Sequence, residues 1–240
     1  MTNILMWSGP RNLSTAMMRS FGARGDCAVW DEPFYAPYLA TTGNDHPMRE
    51  ETLAAHENNP DKVSAACAAP APDGSTHYYQ KHMTHHMLDH FDLGFMDSAV
   101  NVFLLREPER VLASYAEKWE AVSLHDIGFV TQAQFFDRIA QKSGQAPIVL
   151  NSSEVTRVPA ETLEKLCTAI GISWTTNMLR WPAGIHPTDG VWAKHWYNAV
   201  EKSTGFQPSV EKPLPALPAH LQRIADEARP HYAKLLKYAI

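Results

Sequence analysis

An anion-binding arrangement opens the sequence in the stretch NILMWSGPRNLSTAMMRSF. Residues 4–7 form a short apolar run typical of a buried strand, residues 8–13 have the composition of a turn, and residues 14–21 carry apolar side chains at helical spacing. A strand, a tight loop and a helix in this order present backbone N–H groups and the positive end of a helix to an anion. The stretch therefore predicts an anion site.

The loop lacks the Gly-Lys pair that nucleotide hydrolases place before their Ser/Thr residues. Asn12 and Leu13 stand there instead, ahead of Ser14 and Thr15, and Arg11 is the only cation of the loop. The motif alone thus leaves the nature of the anion open.

A second candidate anion site lies in FLLREPERVLASY, where Arg106 follows an apolar run and Ser114 comes nearly two turns into the predicted helix. A planar, permanently charged guanidinium and a hydroxyl donor together suit one terminal phosphate. The alternative is that Arg106 only pairs with Glu107 or Glu109 at the edge of a sheet.

Positioning these residues requires a sheet, and the sequence predicts one. Apolar segments rich in strand-forming residues recur along the chain at residues 4–7, 27–30, 77–80, 100–105 and 148–150. Mostly helical patterns separate them, which predicts a three-layer α/β fold of the P-loop type, with a mostly parallel sheet between helices. Ligands of such sheets gather beyond the carboxyl ends of the strands.

Length and composition favour one domain. The chain has 240 residues, of which 45% are hydrophobic, enough for a single core. We therefore expect one domain over residues 1–240, with a polar, Ala-rich insertion of short helices and loop at residues 40–75.

Charge and cysteine usage narrow the class of protein. The formal net charge of −5 argues against general binding of nucleic acid. Neither a membrane-spanning run nor a signal peptide is evident, and the cysteines Cys27, Cys67 and Cys167 are unpaired in sequence, so we expect a cytoplasmic protein with reduced, mostly buried thiols. The sequence does not indicate an oligomeric state.

Taken together, SGPRNLST and FLLREPERVLASY resemble the two nucleotide-binding motifs of sulfotransferases that use 3'-phosphoadenosine 5'-phosphosulfate (PAPS). The later stretch VLNSSEVTRVPAETLEKLCTAIGI is similar to the strand, acidic loop and helix that follow in that family. The resemblance implies transfer of a sulfuryl group from PAPS to a hydroxyl or amine of a small-molecule acceptor. It implies adenosine 3',5'-bisphosphate as the product nucleotide and no metal.

The resemblance also assigns the nucleotide contacts. The 5'-phosphosulfate would be wrapped by Arg11, Asn12, Leu13, Ser14 and Thr15, and the 3'-phosphate would be held by Arg106 and Ser114. Arg11 stands where the family usually has lysine and serves in transfer as well as binding, and Leu13 replaces the usual glycine.

Two bases are available for removing the proton of the acceptor. Glu32 follows a predicted strand in CAVWDEPFY, similar to the "EP" setting of the base in some sulfotransferases, and Pro33 favours an extended or turn backbone there. In YYQKHMTHH, Lys81 and His82 resemble the Lys-x-His of cytosolic sulfotransferases, except that here they are adjacent. We favour Glu32, with a helix cap or a salt bridge as its alternative, and leave His82 open.

Two further groups have less specific patterns. His82, His86 and His90 would share one face of a predicted helix, but no carboxylate completes a metal site there. Trp192, Trp196 and Tyr197 could stack on adenine, line an acceptor cavity or simply pack in the interior, and Lys194 or Lys202 could reach a phosphate.

Two other functions stay open. A P-loop kinase or nucleotide hydrolase could use Asp31 and Glu32 for Mg²⁺, and a nucleotide-binding protein without catalysis could share the fold. Aromatic residues at Phe34, Tyr35 and Tyr38 would give a partly apolar acceptor pocket.

Overall fold

The computed structural model describes residues 1–117, 122–208 and 213–240 of the chain. Five strands and ten α-helices lie in these described ranges, in the order β1 Thr2–Ser8, α1 Ser14–Gly22, β2 Cys27–Asp31, α2 Tyr35–Thr42, α3 Arg49–Ala55, α4 Pro60–Ala68, β3 His77–Met83, β4 Val100–Leu105, α5 Pro108–Ala116, α6 Phe129–Ser143, β5 Ile148–Asn151, α7 Ser152–Arg157, α8 Pro159–Ile170, α9 Ala193–Trp196 and α10 Ala219–Leu236.

The strands form one parallel sheet in the order β2-β3-β1-β4-β5. Each predicted apolar run lies within one of them, so the predicted fold class is confirmed, and the sheet is parallel throughout. Because parallel strands end at the same edge, the residues after β1, β2 and β4 and the last residues of β3 lie close together.

Alternation along the strands builds the three layers. On β1, Leu5 and Trp7 pack into a core with residues of α5, α6 and α10, whereas Ile4 and Met6 pack into a second core with residues of α1 and α8. Successive side chains of a strand point to opposite faces, so an apolar strand of this kind must be covered on both sides.

The predicted helix through the histidines is wrong. His82 lies inside β3, which pairs with β1 as far as Met83, and only a short 3₁₀ turn follows at Thr84–His86. All seven residues of β3 are buried, and strand pairing to both neighbours therefore outweighs the helical spacing of the polar side chains. His82 and His86 consequently do not share a helical face with His90.

Residues 40–75 contain α3 and α4, joined by loops, and Asn59 caps α4 by accepting hydrogen bonds from two backbone N–H groups. The side chain of Asn3 ties the end of this segment to β1 by donating to the carbonyl of Ala69 over 3.1 Å. The cysteines Cys27, Cys67 and Cys167 are free and buried, as the sequence predicts.

Candidate active site

A cavity of about 330 Å³ opens at the carboxyl edge of the sheet. It brings together most of the predicted site residues, namely Arg11, Asn12, Leu13, Ser14, Thr15, Glu32, Lys81, Arg106 and Ser114. His82 is the exception. The volume lies in the range of small-ligand sites in proteins.

The loop between β1 and α1 forms one end of the cavity. Two features constrain the path of this loop. Arg11 has a φ of +54°, which is unusual for a residue with a side chain. Gly9 packs closely against the backbone, since a Cβ atom there would lie 2.3 Å from the carbonyl oxygen of Ile127. At the start of α1, Leu13 provides no side-chain cap, and the first turn contains no acidic residue. The unsatisfied N–H groups and the positive helix end are therefore available to an anion.

Arg106 and Ser114 meet this loop, although they come from another strand and helix. Nε of Arg11 donates to Oγ of Ser114 over 3.0 Å, and the guanidinium of Arg106 donates to the backbone carbonyl of Arg11. Among the described residues, neither guanidinium has a carboxylate within 4.0 Å. The alternative that Arg106 only pairs with Glu107 or Glu109 is therefore not found among the described residues.

The charge at this end is strongly positive. Burial lowers the pKa of Arg106; nearby Glu107 opposes that shift, and the neighbouring charges of Arg110 and Arg11 add to it. Clustered guanidiniums that repel one another are stabilised by a bound anion.

The opposite end of the cavity contains a buried cluster of four residues, Asp31, Glu32, Lys81 and Tyr197, called here the base cluster. Nζ of Lys81 donates to Oδ1 of Asp31 over 2.9 Å, to the hydroxyl of Tyr197 over 2.7 Å and to Oε1 of Glu32. The Tyr197 hydroxyl lies 2.8 and 2.7 Å from the two carboxylate oxygens of Asp31. Two carboxylates thus share one ammonium, and the three donors of Lys81 are used inside the cluster.

Of the extended or turn backbone expected for Glu32, the extended conformation is not found, because the φ of Glu32 is +43°. Its N–H continues the ladder by donating to the carbonyl of Lys81 over 2.9 Å, and the chain then turns through Pro33 into α2. A non-glycine residue in this region is strained, and such strain often marks functional sites.

The same surroundings make Glu32 a stronger base than an exposed glutamate. Burial raises its pKa; Lys81 opposes this shift, and the negative charge of Asp31 adds to it. For the other carboxylate oxygen, Oε2, no hydrogen bond from the described residues is found, and Nδ1 of His86 lies 3.8 Å from it. Glu32 therefore has one oxygen held by Lys81 and one available to a ligand.

His82 lies on the other face of the sheet from Lys81, because adjacent residues of a strand alternate. Its ring stacks on Trp7 with centroids 4.5 Å apart, and Phe95 packs against it. Burial lowers the pKa of His82 to about 3, helped by the charge of Lys81. His82 is thus a neutral residue of the core.

Aromatic and imidazole groups line the cavity beside the base cluster. Tyr35, His46, His85 and Tyr115 are among them, and the Tyr35 hydroxyl lies 3.1 Å from Nδ1 of His46. Of the three aromatic residues predicted as pocket walls, Tyr35 lines the cavity, and His46 lines it from the segment 40–75. Phe34 instead packs against Phe91 and Phe95, and the hydroxyl of Tyr38 accepts a hydrogen bond from Asn44.

A late segment of the chain covers the cavity, and sequence reasoning found only part of it. Trp196 and Tyr197 line the cavity as one of the open alternatives suggested, together with Val200, Ser203 and residues 205–207. A buried ion pair between Arg19 of α1 and Asp189 holds the segment on the domain, and the N–H of Gly190 donates to Asp31 over 3.1 Å. Asp31 at the end of β2 was the only sequence signal for this contact.

Within residues 1–117, 122–208 and 213–240, no group of three or more His, Cys, Asp or Glu side chains is arranged to hold a metal ion. Over the same part of the chain, none of the helices combines the length and the apolarity that crossing a bilayer requires.

A parallel sheet that places a P-loop-like turn, two guanidiniums and a buried carboxylate around one cavity defines an α/β protein of the nucleotide-binding P-loop type. The sulfotransferase domain family matches residues 2–238. The chain therefore belongs to the sulfotransferase family.

Two curated relatives come from Arabidopsis thaliana. Branched-chain-amino-acid aminotransferase-like protein 2 is 36% identical over 200 residues, and protein 1 of the same name is 38% identical over 201 residues. Each alignment covers 83% of this chain but only 35% and 36% of the respective relative. The chain thus spans about a third of the length of the curated relatives that it matches.

Solved sulfotransferase structures share the fold. A mouse sulfotransferase, SULT7A1 complexed with PAP, superposes with a TM-score of 0.57 at 12% identity, over 99% of this chain and 89% of that one. A sulfotransferase from Alicyclobacillus acidocaldarius gives a TM-score of 0.53 at 13% identity, over 98% and 94%. At these identities the likeness concerns the fold.

Proposed function

We propose that the protein transfers a sulfuryl group from PAPS to a hydroxyl or amine of a small-molecule acceptor. Family membership supports sulfuryl transfer. The observation that carries the finer assignment is that one cavity is lined both by two guanidiniums and a helix N-terminus and by Glu32; within the described residues, the guanidiniums lack a carboxylate partner and one oxygen of Glu32 accepts no hydrogen bond.

The positive end suits the two anionic groups of the nucleotide. Arg11 and the start of α1 would bind the 5'-phosphosulfate, because backbone donors and a guanidinium complement a sulfate ester. Arg106 and Ser114 would bind the 3'-phosphate. In support, the mouse structure that shares this fold is complexed with PAP, whose 3'-phosphate an ordinary adenosine monophosphate lacks.

The reaction then needs one proton transfer and one displacement at sulfur. Oε2 of Glu32 takes the proton of the acceptor as the acceptor oxygen or nitrogen forms its bond to sulfur. The bond from sulfur to the oxygen bridging it to the 5'-phosphate breaks, and its electron pair leaves with adenosine 3',5'-bisphosphate. Arg11 and the end of α1 stabilise the negative charge that grows on that oxygen.

Lys81 serves this reaction through Glu32. Although burial acts to lower it, the pKa of Lys81 is raised, because Asp31 and Glu32 stabilise the ammonium form. With its three donors used inside the base cluster, Lys81 holds Oε1 of Glu32 and leaves the charge on the sulfate to Arg11. His82, buried on the other face of the sheet, takes no part in this proposal.

The acceptor is a small molecule with a partly apolar body. Tyr35, Met83, Tyr115 and Trp196 provide apolar and aromatic surface near Glu32. Such walls enclose a ligand by shape and leave one or a few polar groups to orient it.

The proposal is tested by incubating the protein with PAPS and a metabolite extract, and then searching by mass spectrometry for compounds that gain one SO₃ group. The matched control is Glu32→Gln, which keeps the size of the side chain but cannot accept the proton. We expect sulfated products with the wild type and almost none with the variant. Tight binding of the product nucleotide without any transfer would instead favour a nucleotide-binding protein without catalysis.

A further inference from the structure

The base cluster contains a second carboxylate, Asp31, that the proposed reaction does not use. Asp31 and Glu32 are consecutive, yet their surroundings differ sharply. Asp31 accepts hydrogen bonds from Lys81, Tyr197 and the N–H of Gly190. Among the described residues, Glu32 has one firm donor, Lys81, and a longer contact of 3.4 Å from the Tyr197 hydroxyl.

The hydrogen bonds of the Tyr197 hydroxyl explain why the two carboxylates differ. Its hydroxyl oxygen accepts from Nζ of Lys81 and from Nε1 of Trp192, at 2.7 and 3.3 Å. A phenol has one proton to donate, and it is directed to Asp31, whose oxygens are closer than that of Glu32. Asp31 is therefore the better stabilised anion of the two, and Glu32 is the carboxylate that takes a proton.

We propose that Asp31 and Tyr197 are positioning residues that set the basicity of Glu32 by dividing the Lys81 ammonium between two carboxylates. Asp31 competes with Glu32 for the positive charge and the hydrogen bonds of Lys81. Tyr197 weakens this competition, because its hydroxyl donates a hydrogen bond to Asp31. The inference rests on the proposed function, in which Glu32 is the base.

The charged groups that face Glu32 are few. Lys81 comes from β3 and Asp31 from β2, and both lie within the cluster. His86, from the 3₁₀ turn after β3, is neutral at working pH, because burial holds its pKa well below the usual value. The phenols of Tyr35 from α2, Tyr115 from α5 and Tyr197 from the late segment are neutral as well, since burial raises the pKa of each.

The two positioning residues have effects of opposite sign. Asp31→Asn removes a negative neighbour and leaves the whole ammonium to Glu32, so the pKa of Glu32 falls. Tyr197→Phe, nearly isosteric, removes the hydroxyl that donates to Asp31, so Asp31 competes more strongly for Lys81 and the pKa of Glu32 rises.

The experiment follows the titration of Glu32 in two ways. The carboxyl carbon is observed by NMR in protein labelled with ¹³C-glutamate, with Glu32→Gln identifying the signal, and the acid limb of kcat/KM is measured against pH. We expect the midpoint of the NMR titration and the acid limb of kcat/KM to move to lower pH in Asp31→Asn and to higher pH in Tyr197→Phe. In Asp31→Asn, kcat falls by about tenfold, less than loss of the base itself, because a weaker base remains in place.

Asp26→Asn is the matched control, since Asp26 precedes the same strand and pairs with the buried Arg24 away from the cluster. It should leave the Glu32 signal unchanged. Unchanged titration in both cluster variants, or a shift in the same direction, would overturn the inference. The NMR readout needs no turnover, so a wild type without transfer would contradict the proposed function while this inference is still tested.

Discussion

The two ends of the cavity are both built from charged side chains, but they are completed in different ways. At the end proposed to bind the nucleotide, called here the nucleotide end, Arg11 and Arg106 line the cavity without a carboxylate partner among the described residues. At the end proposed to bind the acceptor, called here the acceptor end, Lys81 is fully engaged by Asp31 and Glu32. In the proposed function, the nucleotide end therefore needs an anion from outside, whereas the acceptor end organises its own charges and offers one oxygen for a proton.

The comparison makes its sharpest prediction for the acceptor end. Glu32→Gln should lower turnover by about 10² to 10⁴, the usual contribution of a general base, while affinity for adenosine 3',5'-bisphosphate is unchanged. Turnover is measured with PAPS and an acceptor found by mass spectrometry, and affinity by calorimetry. His82→Asn should cost less, because His82 packs against Trp7 outside the cavity. The reverse ranking would transfer the base role to His82.

The variant Arg11→Ala tests whether Arg11, at the nucleotide end, serves catalysis or only binding. If its guanidinium stabilises charge that grows during transfer, Arg11→Ala should lower kcat by about 10² to 10³ and weaken binding of the product nucleotide much less. Kinetics and calorimetry on the same preparation measure both effects. Equal losses in rate and affinity would make Arg11 a binding residue only.

Arg106 should behave in the opposite manner, as a residue of binding. Arg106→Ala should cost about 2 to 4 kcal/mol of affinity for adenosine 3',5'-bisphosphate, or about 30-fold to 1,000-fold, the scale for a charge-assisted contact in a partly desolvated site. Arg223→Ala, exposed on α10, serves as the control for loss of one positive charge. Similar affinities in the two variants would move the 3'-phosphate away from Arg106.

A metal requirement for turnover would contradict the proposal that the side chains and the helix end supply the positive charge at the nucleotide end. In the proposed function, Arg11 and the N-terminus of α1 supply positive charge to the transferred group, so we expect turnover to persist in EDTA. Turnover is compared with EDTA alone and with EDTA plus excess Mg²⁺. Activity that EDTA abolishes and Mg²⁺ restores would favour the P-loop kinase or hydrolase alternative.

A prediction outside the cavity concerns stability in acid. Burial lowers the pKa of His82 and of His85 from the ordinary 6.5 to about 3 in the folded protein. At a pH between about 3 and 6.5, these two histidines therefore bind more protons in the unfolded chain than in the folded one. The free energy of unfolding therefore falls as the pH falls, by about 2 kcal/mol for each of the two at pH 5.

Urea unfolding at pH 7.5 and pH 5 measures this loss. The free energy of unfolding should differ less between pH 7.5 and pH 5 in His82→Asn than in the wild type, by the contribution of His82. His220→Asn, exposed on α10, should leave this difference unchanged. A pH dependence that is the same in the wild type and in His82→Asn would contradict burial of a neutral imidazole.

The sheet was predictable because each strand is a compact apolar run that can be buried on both faces. The loop with Arg11 and the helix with Ser114 were predictable as well, since their residue types suit an anion. That Nε of Arg11 donates to Ser114 was not, because the contact joins residues 103 positions apart and depends on β1 and β4 being neighbours.

The base cluster was beyond sequence reasoning for the same physical reason. Lys81 was a candidate through the resemblance to Lys-x-His and Asp31 as a possible Mg²⁺ ligand, but their contact with each other follows from the register of β2 on β3. Tyr197 arrives from a segment 116 positions after Lys81. The helical spacing of the histidines misled because pairing of β3 with two strands determines the conformation of His82.

The central claim is that the guanidiniums of Arg11 and Arg106 form a site for a nucleotide with a 3'-phosphate. The most direct measurement is the thermal shift of the wild type and of Arg106→Ala with adenosine 3',5'-bisphosphate, AMP and ATP at equal concentrations. A ligand that binds the native state alone raises its stability by mass action, so the bisphosphate should raise the Tm of the wild type most, and Arg106→Ala should lose that advantage. Equal shifts with all three nucleotides would contradict the account.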